Sequence, residues 1–218
     1  FWEIDINIIL FFTKNVSLKD WSDAGILKRE IAIYKNLISY GNRISFLTYG
    51  NRDDLQFQDQ LGKIKILCNS YNLPKNIYVK TLHLLHWRSL KESDIIKSNQ
   101  TNGSELALKS AKFWHKPFIG RMGFMLSEFQ MNRKGIGSPS HKHSLEIERM
   151  LVKESDKIVV TTKAMEKKII DIHNFTKRNK IVTIPNYVDT ELFFPIDTNK
   201  KKMFDLIFIG RIEKQKNV

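Results

Sequence analysis

The sequence predicts an α/β domain in which short buried strands alternate with amphipathic helices around a parallel, Rossmann-like sheet. Apolar runs of four to six residues recur along the chain, and longer stretches with apolar residues at three- and four-residue spacing separate them. Of the 218 residues, 42% are hydrophobic, which is enough to bury the core of one full domain. Alternation of short apolar runs with stretches of helical spacing is typical of βαβ units.

The strands are expected at regular intervals along the chain. Asn7–Phe12 is predicted to be the first, because it is a continuous apolar run close to the start. The next six are expected at Ile44–Thr48, Ile64–Leu67, Asp94–Ser98, Pro117–Arg121, Lys157–Thr162 and Lys180–Ile184.

Helices are predicted between these strands. Leu27, Ile31, Tyr34 and Ile38 recur at helical spacing and indicate a helix that ends near Gly41. Further helices are expected from Pro74 towards Leu90, from Leu106 to Trp114, in a segment ending near Ser155, and from Met165 to Ile172. The segment Asn132–His143, with Gly135, Gly137 and Pro139, is predicted to be a basic loop.

The chain is expected to hold one nearly complete domain and the start of another. Residues 1–195 form the predicted first domain, and the polar segment IDTNKKK after Pro195 reads as a linker. The buried run Leu206–Ile209 then restarts the βα rhythm, so residues 196–218 are predicted to be the linker and first strand of an incomplete second Rossmann-like domain. The first residue is Phe1, and we expect the N-terminus to be cut as well.

Composition limits the setting and the partners. The single cysteine, Cys68, cannot form an intramolecular disulfide, and a reducing, cytoplasmic location fits best. The longest apolar runs are far shorter than the roughly 20 residues that span a bilayer. The net charge is +13; Lys plus Arg exceed Asp plus Glu by 14 to 10 in residues 1–100 and by 22 to 13 in residues 101–218. Such a charge attracts polyanions, but a Lys-, Asn- and Ile-rich composition explains it equally well.

Candidate binding residues follow from the rule that open parallel sheets bind ligands beyond the carboxyl ends of their strands. Gly25 lies between the first strand and its helix, where a ligand could approach the main chain and helix N–H groups could bind an anion. The alternative is an ordinary helix start with Ser22 or Asp23 as N-cap.

Polar residues follow the fourth and fifth predicted strands. Asn99 and Gln100, with Thr101 and Gly103 after them, could bond sugar hydroxyls as donor and acceptor, or could cap the loop. Arg121 is suited to phosphate or carboxylate, although a lone arginine is more often part of a surface ion pair.

Other chemistries have little support. His141 and His143 lack carboxylates or cysteines at the spacing of a metal site, so no metal site is predicted. The sequence contains no G-x-G-x-x-G dinucleotide fingerprint, no Walker loop, no Asp-x-Asp after a strand and no Ser/His/Asp order.

Two motifs near the end of the chain resemble those of a known family. The segment IPNYVDTELFFP occupies residues 184–195, and Phe208-Ile209-Gly210-Arg211-Ile212 is followed by Lys216. Together, in this order, they resemble the retaining glycosyltransferases of the GT-B fold, in particular the glycosyltransferase family 4 group. Two differences stand out: Tyr187 replaces the usual glycine, and Asn99-Gln100 stand where many members carry a histidine.

The resemblance extends to Gly25, the strand ending at Gln100, Lys116-Pro117-Phe118, and Glu148 eight residues before Asp156. The last two positions are interpreted as structural. It implies a hexosyltransferase-type enzyme, whose N-terminal domain binds mainly the acceptor and whose C-terminal domain binds the nucleotide-sugar donor. Arg211 and Lys216 match the family's diphosphate-binding pair, no metal or other cofactor is implied, and the catalytic residue stays unassigned.

The resulting hypothesis is sugar transfer, with retention of configuration, from a nucleotide-sugar to a glycan or lipid-linked acceptor in cell-envelope polysaccharide or glycolipid synthesis. The basic surface would help such a domain sit on the cytoplasmic face of an anionic membrane. The 218-residue chain alone is expected to be inactive, and no nucleic-acid partner is expected. The alternatives are a noncatalytic polyanion-binding module, which would need exposed aromatics among its basic residues, and a GT-B-like epimerase or phosphorylase.

Overall fold

The computed structural model describes residues 5–190, 194 and 208. Seven strands lie within these residues: β1 Asn7–Phe11, β2 Arg43–Asn51, β3 Lys65–Asn69, β4 Ile95–Ser98, β5 Phe118–Met122, β6 Lys157–Val160 and β7 Ile181–Thr183. The helices in the same part of the chain are α1 Leu18–Asp23, α2 Leu27–Ser39, α3 Gln58–Leu61, α4 Lys75–Leu85, α5 Trp87–Glu92, α6 Ser104–Phe113, α7 Leu126–Lys134, α8 Pro139–Glu154 and α9 Lys163–His173. Two short 3-10 turns, Arg52–Phe57 and Arg178–Lys180, precede α3 and β7.

The strands form one parallel sheet in the order β3-β2-β1-β4-β5-β6-β7. The order reverses direction at β1, because β2 and β3 extend the sheet on one side and β4 to β7 on the other. The register places Leu10 of β1 beside Phe46 and Lys97. This is the Rossmann-like α/β fold, and the pair β1 and β4 is its topological switch point, beside which ligands bind in such sheets.

The core lies on both faces of the first strands. Four consecutive residues, Ile9 to Phe12, are at most 1% exposed, as expected for a strand covered on both sides. On the α2 side, the ring of Phe12 stacks on Trp21 at 4.0 Å, and Tyr34 meets Phe46 edge to face at 5.0 Å. These aromatic contacts fix α1 and α2 against the sheet.

Two aspartates fix the amino edge of the sheet. Asp94, just before β4, accepts a hydrogen bond from the main-chain N–H of Asn7 at 2.8 Å. Asp156, just before β6, accepts one from the N–H of Phe118 at 2.8 Å. Each carboxylate therefore pairs an N–H group at the start of the adjacent strand that would otherwise lack a partner, in agreement with a structural role for Asp156.

The α/β class and the seven strands predicted between residues 7 and 184 are confirmed, and the helices differ from the prediction at three places. The segment between β1 and the predicted helix at Leu27 contains a further helix, α1, which begins with a capping box formed by Ser17 and Asp20. The predicted helix after Pro74 is divided at His86 into α4 and α5. Most of the predicted basic loop is helical, since Pro139 occupies the first turn of α8 behind the N-cap Ser138.

The chain separates into two compact units, Phe1–Pro185 and Asn186–Val218. In the second unit, residues 186–190 are extended or turning, and the predicted strand Leu206–Ile209 lies outside the described residues except for Phe208. The domain boundary between residues 195 and 196 stays a prediction.

Candidate functional site

The carboxyl ends of β1, β4 and β5 bring three loops together. The main-chain N–H of Asn99, the first residue after β4, donates to the carbonyl oxygen of Phe11 at the end of β1 at 2.8 Å. On the other side, Gly123 directly follows β5. Residues 12–17, 99–103 and 123–125 therefore lie at one edge, where the loops of a parallel sheet form its binding crevice.

Arg121 connects the ends of β4 and β5. Its guanidinium Nη1 donates to the main-chain oxygen of Asn99 at 3.0 Å, and its main-chain N–H donates to the hydroxyl of Ser98 at 3.1 Å. The arginine side chain is half-buried, and the hydrogen bond to Asn99 in the loop after β4 sets the direction of its guanidinium group. Two predicted site residues, Arg121 and Asn99, are thus in direct contact.

Gln100 is held by Gly123. The Oε1 atom of Gln100 accepts a hydrogen bond from the Gly123 N–H at 3.1 Å, and a Cβ atom on Gly123 would lie 2.5 Å from this oxygen. A glycine is therefore required for the carboxamide to approach the main chain. The carbonyl of Gly123 in turn accepts from the Thr161 hydroxyl at 3.2 Å.

A second glycine closes the loop after β1 onto the loop after β4. Gly103 has φ +92, and a Cβ on it would lie 2.6 Å from the main-chain nitrogen of Lys14. This nitrogen donates to the carbonyl of Asn102 at 3.2 Å. The Lys14 ammonium lies 3.7 Å from Glu105, whose other carboxylate oxygen accepts the Gly103 N–H at 3.1 Å. A half-exposed cation is thereby fixed at the edge.

Two buried hydroxyls near this edge lack hydrogen-bond partners among the described residues. They are the Oη of Tyr49 in β2 and the Oγ1 of Thr101. Burial, followed by the negative charge of Glu105, raises the pKa of Tyr49, so the phenol stays protonated. Unsatisfied buried hydroxyls are uncommon and point to a partner outside the protein or to bound water. Sequence reasoning included Thr101 only in a polar run and missed Tyr49, which sits in an apolar strand.

Lys97 is in β4, two residues before Asn99. Its ammonium donates to the Tyr34 hydroxyl at 3.1 Å. Burial, followed by the positive charge of Arg121, lowers the pKa of Lys97 to about 7. The sequence identifies this position only as part of a strand, because its significance depends on Tyr34 of α2 packing across the sheet.

Gly25 lies between α1 and α2 at the same edge of the sheet. Its φ is +67, and nothing lies within 4 Å of an added Cβ, so the turn conformation rather than a close contact within the protein requires glycine. The alternative N-cap assignment is wrong: Ser22 and Asp23 belong to α1, and Asp23 pairs with Lys19 at 2.7 Å. The first turn of α2 has no side-chain cap.

Other predicted features lie elsewhere. Arg211 and Lys216 are outside the described residues. His141 accepts the Gly137 N–H at 3.0 Å, and His143 lies 3.9 Å from Glu146. Within the described part of the chain, no group of three or more His, Cys, Asp or Glu side chains could hold a metal ion. None of the helices in residues 5–190 is long and apolar enough to cross a membrane.

The parallel sheet with a polar crevice at its switch point defines a Rossmann-like α/β domain of the class that binds ligands at this edge. The sequence model of Glycosyltransferase Family 4 matches residues 31–192, about three quarters of the chain, and the chain belongs to this family. No curated protein sequence matches it.

Solved structures share the fold at low identity. Anabaena Alr3699/HepE, in complex with UDP and glucose, has a TM-score of 0.55 at 12% identity, over 86% of this chain and 46% of that chain. Sucrose-phosphate synthase from Thermosynechococcus elongatus has a TM-score of 0.54 at 11% identity, over 88% and 51%. Acinetobacter baumannii MurG has a TM-score of 0.50 at 11% identity, over 84% and 46%. The chain thus spans about half the length of these structures.

Proposed function

We propose that the chain is the acceptor-side part of a glycosyltransferase that moves a hexosyl group from a nucleotide-sugar to an acceptor hydroxyl. The observation that carries the proposal is the polar crevice at the switch point in a member of Glycosyltransferase Family 4. Its amides, hydroxyls and cations are suited to a sugar with many hydroxyl groups. A second solved HepE structure, in complex with UDP-glucose, supports a nucleotide-sugar donor.

The crevice supplies acceptor contacts of distinct kinds. The Gln100 carboxamide has one oxygen committed to Gly123 and presents its NH₂ group as donor. Thr101 and Tyr49 contribute the hydroxyls without partners. Arg121 is positioned by Asn99 for an anionic group of the acceptor or donor.

The proposed chemistry exchanges one bond to the anomeric carbon for another. The acceptor oxygen forms a bond to this carbon as the bond to the diphosphate oxygen breaks, and the acceptor proton passes to the departing diphosphate. Attack from the face that the diphosphate leaves retains the configuration. Arg211 and Lys216 are proposed to stabilise the charge on the leaving diphosphate, so no metal or other cofactor is needed.

The acceptor is proposed to be a glycan or lipid-linked sugar of the cell envelope, handled at the cytoplasmic face of an anionic membrane. One surface supports this setting. Leu84, Trp87 and Phe113 are 52%, 43% and 53% exposed, and the Arg88 guanidinium lies 5.3 Å from the Trp87 ring centroid. Lys80 and Lys109 are also exposed on α4 and α6. Aromatic residues among cations favour the interface of an anionic bilayer.

Transfer and donor hydrolysis together test the enzymatic proposal. A protein carrying this chain with a complete second domain is incubated with UDP-glucose and other labelled nucleotide-sugars, with and without envelope lipid extract. Gln100→Ala is expected to lower transfer by on the order of tenfold while leaving slow donor hydrolysis, because one lost substrate hydrogen bond is worth about 1–1.5 kcal/mol.

Arg211→Ala with Lys216→Ala is expected to abolish both reactions, and Arg133→Met, at an exposed site on α7, serves as control. Full transfer in the Arg211/Lys216 variant would contradict the proposed role of these two residues in stabilising the leaving diphosphate. Saturable, salt-sensitive nucleic-acid binding without any response to nucleotide-sugars would instead support the polyanion-binding module, and interconversion of the free nucleotide-sugar would support the epimerase.

Vesicles test the membrane part. The wild-type protein is expected to co-sediment with phosphatidylglycerol vesicles and not with phosphatidylcholine vesicles. Trp87→Ser with Phe113→Ser should reduce binding by about tenfold, since each ring loses more than 1 kcal/mol of apolar burial. Tyr40→Ser, which changes a 68% exposed ring directly after α2, is the matched control. An equal loss of vesicle binding in the Trp87/Phe113 variant and in the Tyr40 variant would show that the surface around Trp87 and Phe113 is not the membrane-binding surface.

A further inference from the structure

A basic cavity lies at the opposite edge of the sheet from the crevice. Its volume is about 310 Å³, and it opens between the C-terminal half of α8 and the segment that follows the end of α9. Arg149 and Lys153 of α8 line one side, and His173, Asn174, Thr176 and Lys177 line the other. Because β6 and β7 begin shortly after these helices end, the cavity is at the amino edge. At ~30 Å³ per water, it could hold about ten water molecules, which is room for a phosphate and part of its substituent.

The three cations of this cavity are exposed and lack carboxylate partners within residues 5–190. Neighbouring lysines of the same helical layer do have partners: Lys112 with Glu154 at 2.7 Å and Lys168 with Glu128 at 2.6 Å. Arg149 and Lys153 are one helical turn apart, where like charges repel. An anion between them would remove this repulsion.

The wall of the cavity also contains a buried imidazole, His173, neither of whose nitrogens has a hydrogen-bond partner among the described residues. The His173 side chain is 1% exposed, and its Nε2 atom lies 3.4 Å from Oε2 of the fully buried Glu148. Oε1 of Glu148 accepts the Ser127 N–H at 2.8 Å, which holds the carboxylate beside the ring. Within the described part of the chain, Nδ1 of His173 is buried and has no hydrogen-bond partner. A buried polar atom in this state indicates a missing partner such as a ligand oxygen.

A second cavity of the same protein differs from this one in how its lining cations are paired. A larger cavity, of about 420 Å³, lies at the amino edge beside β1, β2 and β3. There Arg43 already pairs with Asp5 at 3.2 Å, and Lys65 donates to the Ser89 hydroxyl at 3.1 Å. Two of its three lining cations, Arg43 and Lys65, therefore have partners in the protein and Lys63 is the exception, whereas none of the three cations between α8 and α9 has a carboxylate partner within residues 5–190.

We infer that the cavity between α8 and α9 binds the phosphate group of an anionic ligand, with Arg149, Lys153 and Lys177 as its cationic contacts and His173 as its buried polar group. This site is separate from the proposed sugar-transfer crevice and does not depend on it. The phosphate could belong to a small soluble molecule or to the headgroup of a lipid, since both present the same oxygens to the cations.

The test follows the amide NMR signals of residues 174–177 in the 218-residue chain, at constant ionic strength, during titration with inorganic phosphate. Saturable shifts are expected in the wild type. Arg149→Gln with Lys153→Gln should weaken binding by on the order of tenfold or more. Lys28→Gln with Lys35→Gln, which removes the same charge from exposed sites on α2, should leave binding within about twofold.

Phosphatidylglycerol vesicles distinguish the lipid source. If phosphate binds weakly while the Arg149/Lys153 variant alone loses vesicle binding, the ligand is a headgroup. If phosphate saturates and vesicle binding is equal in both double variants, the ligand is a soluble phosphate. Lys177→Gln repeats the test from the other wall, and circular dichroism verifies that each variant is folded. Absence of saturable phosphate shifts, together with equal vesicle binding by both double variants, would overturn the inference.

Discussion

The guanidinium of Arg121 donates to the main-chain oxygen of Asn99 at 3.0 Å, across the gap between the ends of β5 and β4. Arg121 is near the end of β5 and Asn99 directly follows β4, and the strand order makes these two strands adjacent. The contact fixes the shape of the crevice, because Asn99 itself is joined to the end of β1. Three strand ends are thus connected by main-chain and guanidinium hydrogen bonds, and side chains on these loops are presented by a stiff frame.

Gly123→Ala is predicted to raise the acceptor KM severalfold with little change in stability. The new Cβ would lie 2.5 Å from Oε1 of Gln100, and this flexible side chain can turn away without moving the main chain. The donor-side chemistry does not involve Gln100, so donor hydrolysis is the internal control. Steady-state kinetics over a range of acceptor concentrations measure the effect. An acceptor KM and a kcat that both stay unchanged would show that Gln100 does not contact the acceptor.

Gly103→Ala and Gly25→Ala form a matched pair with different expected costs. Both glycines have positive φ, +92 and +67, so alanine suffers about 1–2 kcal/mol of conformational strain at either position. At Gly103 the Cβ also meets the Lys14 main-chain nitrogen at 2.6 Å, whereas at Gly25 it meets nothing within 4 Å.

Urea unfolding should therefore show a loss of about 3 kcal/mol or more for Gly103→Ala and about 1 kcal/mol for Gly25→Ala. Equal losses would show that the contact between the two loops is not rigid. Such a result would also weaken the assignment of a fixed position to Lys14.

The sequence allowed most of the sheet and the position of the crevice to be predicted. The strands are short apolar runs between helical stripes, and this difference of period survives without any tertiary information. Asn99, Gln100 and Arg121 were identified because they follow strands, and the carboxyl ends of parallel strands share one edge. The motif at residues 184–195 led to the family that the sequence model matches.

What could not be predicted depends on contacts between distant segments. The pairing of Gln100 with Gly123, and of Lys97 with Tyr34, requires knowledge of which elements are adjacent. Helix α1 was missed because its six residues bury only Leu18 and Trp21 and show no full helical period. Pro139 resembled a helix breaker, but at the first turn of α8 its missing N–H costs nothing.

Lys97→Met is predicted to stabilise the protein at pH 6 and to lose this advantage as the pH rises. The lysine titrates at 10.5 in the unfolded chain, whereas in the folded protein burial, followed by the charge of Arg121, lowers its pKa to about 7. Between these values the unfolded chain holds the extra proton, so the free energy of unfolding of the wild type gains from this group as the pH rises from 7 to 10.5. Below pH 7 the full cost of burying the charge is present.

The measurement is urea unfolding of wild type and variant at pH 6 and pH 10. At pH 6 the free energy of unfolding should be larger for Lys97→Met than for the wild type. At pH 10 this difference should narrow or reverse, because neutral Lys97 still hydrogen-bonds to Tyr34. Lys35→Met, at an exposed position of α2, is the control for loss of a lysine. A Lys97 gap that stays constant between the two pH values would contradict the lowered pKa.

Glu148→Ala is predicted to destabilise the fold far more than Glu148→Gln. The carboxylate is fully buried, accepts the Ser127 N–H at 2.8 Å and faces His173 at 3.4 Å, so it joins α7, α8 and α9. Alanine leaves the N–H and the imidazole without partners, which should cost about 3–5 kcal/mol. Glutamine keeps an oxygen for the Ser127 N–H and should cost only about 1–2 kcal/mol.

Glu146→Ala is the control, because this carboxylate is 73% exposed and should change the free energy of unfolding by no more than about 0.5 kcal/mol. Chemical unfolding of the three variants at neutral pH ranks them. Equal losses for alanine and glutamine would mean that the charge facing His173, and not the hydrogen bond to Ser127, holds the three helices together. Each oxygen of Glu148 faces a different helix, so the ranking shows how much each of the two contacts contributes to the free energy of unfolding.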